Sequence, residues 1–262
     1  MEPHHASSIE NLIAAMEPDP SVLALLLTGS IAHGFARPDS DIDVAIVVAP
    51  EEYERRRADE RLHYNNTALC TYPGYIDGKY LDVRFLRLVG ERGSDPARYA
   101  FKDCRILFSR LPDLERLLAD IVRFPVEQKR ARIDRFAAQL LAWRWYYTEA
   151  IRQENPYLRH LAIQKVVLFS CRIVLTENEV LYPYHKWLLR VVASAPRQPA
   201  GFASLLEEAL TSDSRDIVES LCRAVFDFAS IDQAAANAVW PTRFMRDTEL
   251  SWVEHEAPID DI

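Results

Sequence analysis

The sequence predicts a small α/β domain followed by an all-α helical bundle, and three observations carry that prediction. Short apolar runs bounded by proline and glycine alternate with amphipathic segments over roughly the first half of the chain. From about residue 126 the apolar side chains recur at helical spacing throughout. The chain has 262 residues, 49% of them hydrophobic, which is enough to bury two cores. The expected division is 1–122 for the α/β part and 123–262 for the bundle.

In the α/β part, "SSIENLIAAM" reads as a helix, with Ser7 or Ser8 as N-cap and Ile9, Leu12, Ile13 and Met16 on one face. "SVLALLLT", between Pro20 and Gly29, suits a buried strand. "DIDVAIVV" is β-branched and apolar from Ile42 on and reads as the next strand. "PEEYERRRADERL" opens on Pro50 and is charged throughout, as a solvent-facing helix would be. "NNTALCTY" and "KYLDVRFLRL" read as further strands. Between them Asp77-Gly78 is a hairpin signal that puts Asp82 on the outgoing strand. "CRILFS" reads as a last strand before the helix "LPDLERLLADIV".

In the bundle, Ile133, Phe136, Leu140, Trp143, Tyr147 and Ile151 form one helical stripe. "YLRHLAIQKVVLFSCRIVLTE" is apolar on nearly all sides and belongs at the bundle's centre. "HKWLLRVVASA", "FASLLEEAL" and "DIVESLCRAVFDFAS" supply further helices, with breaks at Pro183, Pro196 and Pro199. The acidic tail "WVEHEAPIDDI" is expected to be disordered.

Composition narrows the function classes. The formal net charge of -8 counts against a nucleic-acid polymer held on a broad basic surface. Cys70, Cys104, Cys171 and Cys222 are scattered, which suits four reduced thiols. "MEPHHASSIE" lacks the basic and apolar regions of a signal peptide, and no apolar run reaches spanning length, so a soluble, cytoplasmic protein without a membrane partner is expected.

The chemistry concentrates in "LLTGSIAHGFARPDSDIDVAIVV". Strand side chains i and i+2 share a face, so Asp41 and Asp43 project together at the head of a strand. Two carboxylates this close repel unless they share a cation, and their hard oxygens suit Mg²⁺. Asp82 joins them if its strand is the neighbour. Gly29 and Ser30 form a small-residue turn whose N–H groups and hydroxyl suit a phosphate, while Ser30 as a helix N-cap is the plainer alternative. A phosphate cradle beside a carboxylate cluster suits phosphoryl or nucleotidyl transfer assisted by one or two divalent ions.

"TGSIAHGFARPDSDIDVAIVV" resembles the signature of the nucleotidyltransferase superfamily that includes DNA polymerase beta: a Gly-Ser turn, a spacer, then Asp-x-Asp at a strand start. "YLDVRFL" is similar to the strand that carries the family's third carboxylate. The resemblance covers about the first 110 residues. It implies a small mixed-sheet fold, Mg²⁺ and a nucleoside triphosphate, with Gly29 and Ser30 on the triphosphate, Asp41 and Asp43 as metal ligands, and Asp82 as third ligand or base. Ser40, within the same signature, is counted with the nucleotide-binding residues. A core followed by a helical bundle is also similar to members that adenylylate aminoglycosides or lincosamides. There "ENEVLYPYHKW" corresponds to the closing surface, with Lys186 reaching a phosphate.

Other residues have plainer readings beside the functional ones. His33 and Arg37 in the spacer are loop residues facing water, with a functional role as the alternative, and Arg84 pairs with Asp82 or meets a phosphate. Trp143, Tyr146 and Tyr147 read as core, and Glu149 as a surface carboxylate with general base as the alternative. Glu177 and Glu179 suit either a helix end or a cationic acceptor. The expected activity is transfer of a nucleoside monophosphate, AMP from ATP, to a hydroxyl of a small molecule such as an antibiotic, in a cleft between core and bundle. A protein-modifying, antitoxin-like transferase and a nucleotide-binding regulator without turnover are the alternatives.

Overall fold

The computed structural model describes residues 1–212, 214–254, 259–260 and 262. Its chain divides into two compact units, Met1–Gly93 with Ala97–Arg123, and Ser94–Pro96 with Phe124–Ile262.

The first unit is built on a five-stranded mixed sheet: β1 (Val22–Leu27), β2 (Ile42–Val48), β3 (His63–Asn66), β4 (Ile76–Leu81) and β5 (Arg105–Ser109), in the order β3-β4-β2-β1-β5. Only β2 and β4 run parallel. The alternation of side chains sorts the apolar residues onto two faces. Leu25, Leu27, Val44, Ile46 and Tyr80 pack with Ile9 and Leu12 of α1 (Pro3–Met16). Ala24, Leu26, Ala45, Val47 and Leu81 pack with the other helices of this unit. Those helices contribute Leu86 and Val89 from α4 (Val83–Arg92), and Leu118 and Ile121 from α6 (Leu114–Val122). Between α1 and α4 lie α2 (Gly29–Ala32) and α3 (Pro50–Ala58), and α5 (Asp95–Tyr99) lies between α4 and α6.

Four local expectations are corrected. Helix α1 starts at Pro3, where Glu2 and His5 cap each other reciprocally, so neither Ser7 nor Ser8 is its N-cap. The strand expected over "NNTALCTY" is over by Asn66, and the loop 67–75 closes the β3–β4 pair. Asp77-Gly78 makes no hairpin turn. It lies inside β4, because a Cβ at Gly78 would stand 2.8 Å from Val44 Cγ2, so glycine serves close strand packing here. The strand read through "KYLDVRFLRL" ends at Leu81, where the Asp82 carboxylate accepts from the Phe85 N–H at 2.7 Å and starts α4.

The second unit is helical, as the spacing predicts. Its spine is the hairpin of α7 (Lys129–Arg152) and α8 (Pro156–Glu177), joined through Asn155, whose side chain accepts from Leu158 N–H. Around it lie α9 (Leu188–Ala193), α10 (Phe202–Thr211), α11 (Arg215–Phe228) and α12 (Gln233–Phe244). Tyr147 is buried, and Trp143 and Tyr146 pack against the same core, which is their plainer reading. Ile151 departs from the stripe and is exposed near the end of α7. The tail is corrected in part. Ile259 is buried, the Asp260 carbonyl accepts from Arg172 and its carboxylate pairs with Lys165. The expectation for 255–258 and 261 lies outside the described residues.

Candidate active site

The site grows from the end of β1. After Leu27 the chain is extended at Thr28, whose N–H donates to the Asp43 carbonyl at 2.9 Å and ties the end of β1 to the start of β2. Gly29 then turns with φ of +63°, a conformation that favours glycine. The Asp43 carboxylate lies directly against it: a Cβ on Gly29 would stand 1.9 Å from Asp43 Oδ2. Ser30 follows, 5% exposed, and its hydroxyl oxygen has no partner among the described residues. A buried polar oxygen without a partner is costly to leave unmatched, which points to a ligand atom there.

Asp41 sits one residue ahead of β2 and accepts a hydrogen bond from the Tyr75 hydroxyl, which holds that phenol above its ordinary pKa. A further carboxylate stands beside the Asp41–Asp43 pair, on β4. In the parallel β2–β4 ladder the Cα partner of Asp43 is Asp77. Directly paired residues share a face, so these two carboxylates stand about 4.8 Å apart at their backbones. His63 Nε2 lies 2.6 Å from Asp77 Oδ1.

Asp82 is not part of this group. It lies five residues beyond Asp77, about 17 Å along a strand. Its buried carboxylate is engaged by the α4 N-terminus and by Arg84 Nε at 2.6 Å. The expected place of Asp82 beside the pair depended on a turn at Asp77-Gly78, and β4 continues through that dipeptide. The signal that identifies Asp77 is the alternation of Ile76, Gly78 and Tyr80 on one face of β4, which leaves Asp77 on the other.

The remaining candidates separate in the same way. The Ser40 hydroxyl accepts from Arg37 N–H at 2.9 Å, so it closes the turn before Asp41. Arg37 pairs with Asp39 at the surface. His33 is buried against Tyr99 and Phe35, with Nδ1 at 3.4 Å from Asp103; burial lowers its pKa. Arg84 bridges Asp82 and Glu54. Lys186 lies in the second unit, exposed, with its ammonium 4.9 Å from the Trp187 ring centroid. Glu149, also in that unit, is bonded to Arg152 and Gln153, and the Arg152 hydrogen bond lowers its pKa, the wrong direction for a base.

No three histidine, cysteine, aspartate or glutamate side chains among the described residues are arranged to hold a metal ion as they stand. The donor chemistry nevertheless fits a hard divalent cation beside a phosphate. Asp41, Asp43 and Asp77 supply carboxylate oxygens, Gly29 leaves the space a Cβ would fill, and Ser30 offers its unmatched hydroxyl.

The sequence profile of the nucleotidyltransferase domain matches residues 9–146, more than half of the chain. The chain therefore belongs to the nucleotidyltransferase domain family and is a transferase of phosphorus-containing groups. Among solved structures it is similar to the crystal structure of a nucleotidyltransferase-like protein from Exiguobacterium sibiricum 255-15. The TM-score is 0.50 at 10% identity, over 92% of this chain and 80% of that one, a likeness of fold. A comparison with curated proteins finds no match. No helix among the described residues is long and apolar enough to cross a membrane.

Proposed function

We propose that the protein is a Mg²⁺-dependent nucleotidyltransferase that moves AMP from ATP to a hydroxyl of a small molecule. The observation that carries this reading is the shared rung of Asp43 and Asp77 beside the Gly29-Ser30 turn. Asp41, Asp43 and Asp77 would hold the cation, and Gly29 and Ser30 the triphosphate. A bound divalent ion neutralises the triphosphate and lowers the pKa of the acceptor hydroxyl. The Ser30 hydroxyl donates to a phosphate oxygen, and the turn's N–H groups face the same anion. Asp77 Oδ1, which now meets His63, takes the acceptor's proton as the new O–P bond forms and pyrophosphate leaves.

The acceptor's charge is a separate matter. The acidic stretch that suggested a cationic acceptor is neutralised within the second unit: Glu177 pairs with Arg197 and Lys129, and Glu179 with Lys129. What the acceptor must supply is a hydroxyl; these carboxylates do not call for a cationic one.

The test is pyrophosphate release by the full chain with Mg²⁺ and each nucleoside triphosphate across a panel of hydroxylated small molecules. Asp43→Asn and Asp77→Asn should each lower turnover by ~100-fold or more, beyond what loss of an outer-shell partner does. Unchanged turnover in either variant removes the mechanism. Transfer to a protein and to none of the small molecules replaces the acceptor class.

A further inference from the structure

We propose that His5 and Tyr72 are positioning residues for Asp41: two ring donors that converge on the Ser40 carbonyl and so set where the Asp41 carboxylate stands. The inference rests on the reading of Asp41 as a cation-holding residue.

Asp41 precedes β2, so the sheet's regular ladder, which begins at Ile42, does not fix it. Beside the Tyr75 hydroxyl on its carboxylate, what fixes its backbone is the carbonyl one peptide back. Ser40 O accepts from the Tyr72 hydroxyl at 2.6 Å and from His5 Nε2 at 3.1 Å, which uses both lone pairs. The peptide unit is planar, so an oxygen held at two points orients the Asp41 N–Cα bond as well. On the other side of Asp41, Ile42 N–H donates to the Tyr75 carbonyl at 3.1 Å. The aspartate is suspended between two clamps, both of which use the 72–75 turn.

Each clamp is itself held. The Tyr72 ring lies over Gly74, where a Cβ would stand 2.2 Å from a ring carbon. His5 is fully buried in the first turn of α1, and its Nδ1 accepts from Glu2 N–H at 3.4 Å. That contact leaves the proton on Nε2, the nitrogen that faces Ser40. His4 adds a parallel contact from Nε2 to the Pro38 carbonyl at 2.9 Å, and its ring lies 4.5 Å from that of Tyr72. The helix is bonded to the same loop further along, where Ser8 Oγ accepts from Thr71 N–H and Asn11 donates to the Leu69 carbonyl. Ordinary packing needs apolar contact here; it does not need two polar donors on the one carbonyl that leads into Asp41. His4 and His5 lie ahead of the family-matched stretch of 9–146, in the first turn of α1.

The experiment measures Mn²⁺ uptake by the full chain without nucleotide, from the loss of the free-ion paramagnetic resonance signal, beside thermal unfolding. Tyr72→Phe keeps the ring and removes one donor. It should weaken Mn²⁺ binding about threefold to tenfold, the equivalent of one neutral hydrogen bond. His5→Leu should do the same. His5→Gln, whose amide nitrogen reaches the Nε2 position, should bind like the unaltered chain. A packing role alone predicts lower unfolding temperatures with unchanged Mn²⁺ affinity in both Tyr72→Phe and His5→Leu, and that result overturns the inference. Should the unaltered chain take up no Mn²⁺, the cation reading of Asp41 fails and the inference with it. If Asp41→Asn loses the ion while Tyr72→Phe and His5→Leu keep it at full affinity, only the inference fails.

Discussion

At the scale of single residues, two aspartates that look alike in sequence have unlike surroundings. Asp77 is a third exposed at its side chain and shares a rung with Asp43, whereas Asp82 is buried and saturated by Arg84 and the Phe85 N–H. Asp82→Asn keeps an N-cap acceptor for the Phe85 N–H and loses the charge that meets Arg84, so it should leave pyrophosphate release within about twofold while lowering stability by about 1 kcal/mol or less. Loss of turnover with an unchanged unfolding midpoint would return Asp82 to the site. Two buried histidines give the fold a pH dependence. Burial holds both His5 and His33 below the ordinary value of 6.5. For His5 the neighbouring His4 acts in the same direction, against the Ser40 carbonyl and Glu2; for His33, Asp103 opposes the shift and Lys102 adds to it. The unfolded chain then binds protons first as pH falls, so stability is full above 6.5 and declines as pH drops from 6.5 through the lowered folded values. Urea midpoints followed by circular dichroism at pH 7.5 and 5.5 should show the decline. The double variant His5→Gln/His33→Gln should show a shallower one.

At the scale of elements, the placement of the site depends on how β4 meets its neighbours. Gly78 sits in the strand with Val44 Cγ2 at 2.8 Å and Tyr64 Cβ at 3.3 Å from where its own Cβ would lie. Gly78→Ala must push β4 away from β2 or β3, and overpacking of this kind costs about 1–3 kcal/mol. Because Asp77 is the adjacent residue, the variant should also lose turnover, read in the same pyrophosphate assay. Full turnover with full stability would show that the β2–β4 contact is looser than its distances. The same glycine explains why Asp77-Gly78 lies within a strand and not at a turn. Asp-Gly is a strong turn signal when both sides are free to splay, but here the space between two paired strands demands a residue without a side chain. The boundary of α4 was hidden for a related reason. "YLDVRFL" is apolar at strand spacing up to Leu81 and at helical spacing from Val83, and Asp82 is the cap that divides them.

At the scale of the whole molecule, Ser94–Pro96 belongs with the second unit although its neighbours in sequence belong with the first. The later boundary between the units falls between Arg123 and Phe124. Within the second unit Asp95 is buried, with Arg132 Nη1 at 2.7 Å, Arg172 Nη2 at 3.1 Å and the Tyr182 N–H at 3.3 Å. Arg172 is also stacked against Phe136 and Tyr182. Removing one partner from a buried ion cluster costs far more than the pair is worth against apolar residues, about 3–5 kcal/mol. All five tryptophans (Trp143, Trp145, Trp187, Trp240 and Trp252) lie in this unit, so their fluorescence follows its unfolding. Asp95→Asn should lower the urea midpoint seen by tryptophan fluorescence by an amount equivalent to that cost. An unmoved midpoint would show that the cluster is not a determinant of the bundle.

The sequence by itself determined the mixed α/β core, the helical second half and the pairing of Gly29-Ser30 with Asp41 and Asp43. Each of these is local: a turn, a strand's period of two or a helix's period of 3.6 is written within a dozen residues. Only the tertiary structure decided that Asp77 shares a rung with Asp43 while Asp82 caps α4, that Ser40 closes a turn, and that Glu149 is neutralised by Arg152. It also decided that His5 and Tyr72 meet at the Ser40 carbonyl. These are facts of register and of loops brought together from distant parts of the chain. A one-residue slip in the β2–β4 ladder would turn Asp77 to the opposite face with no change in any local pattern, because strand pairing is settled by which side chains fit between the sheets and helices around them.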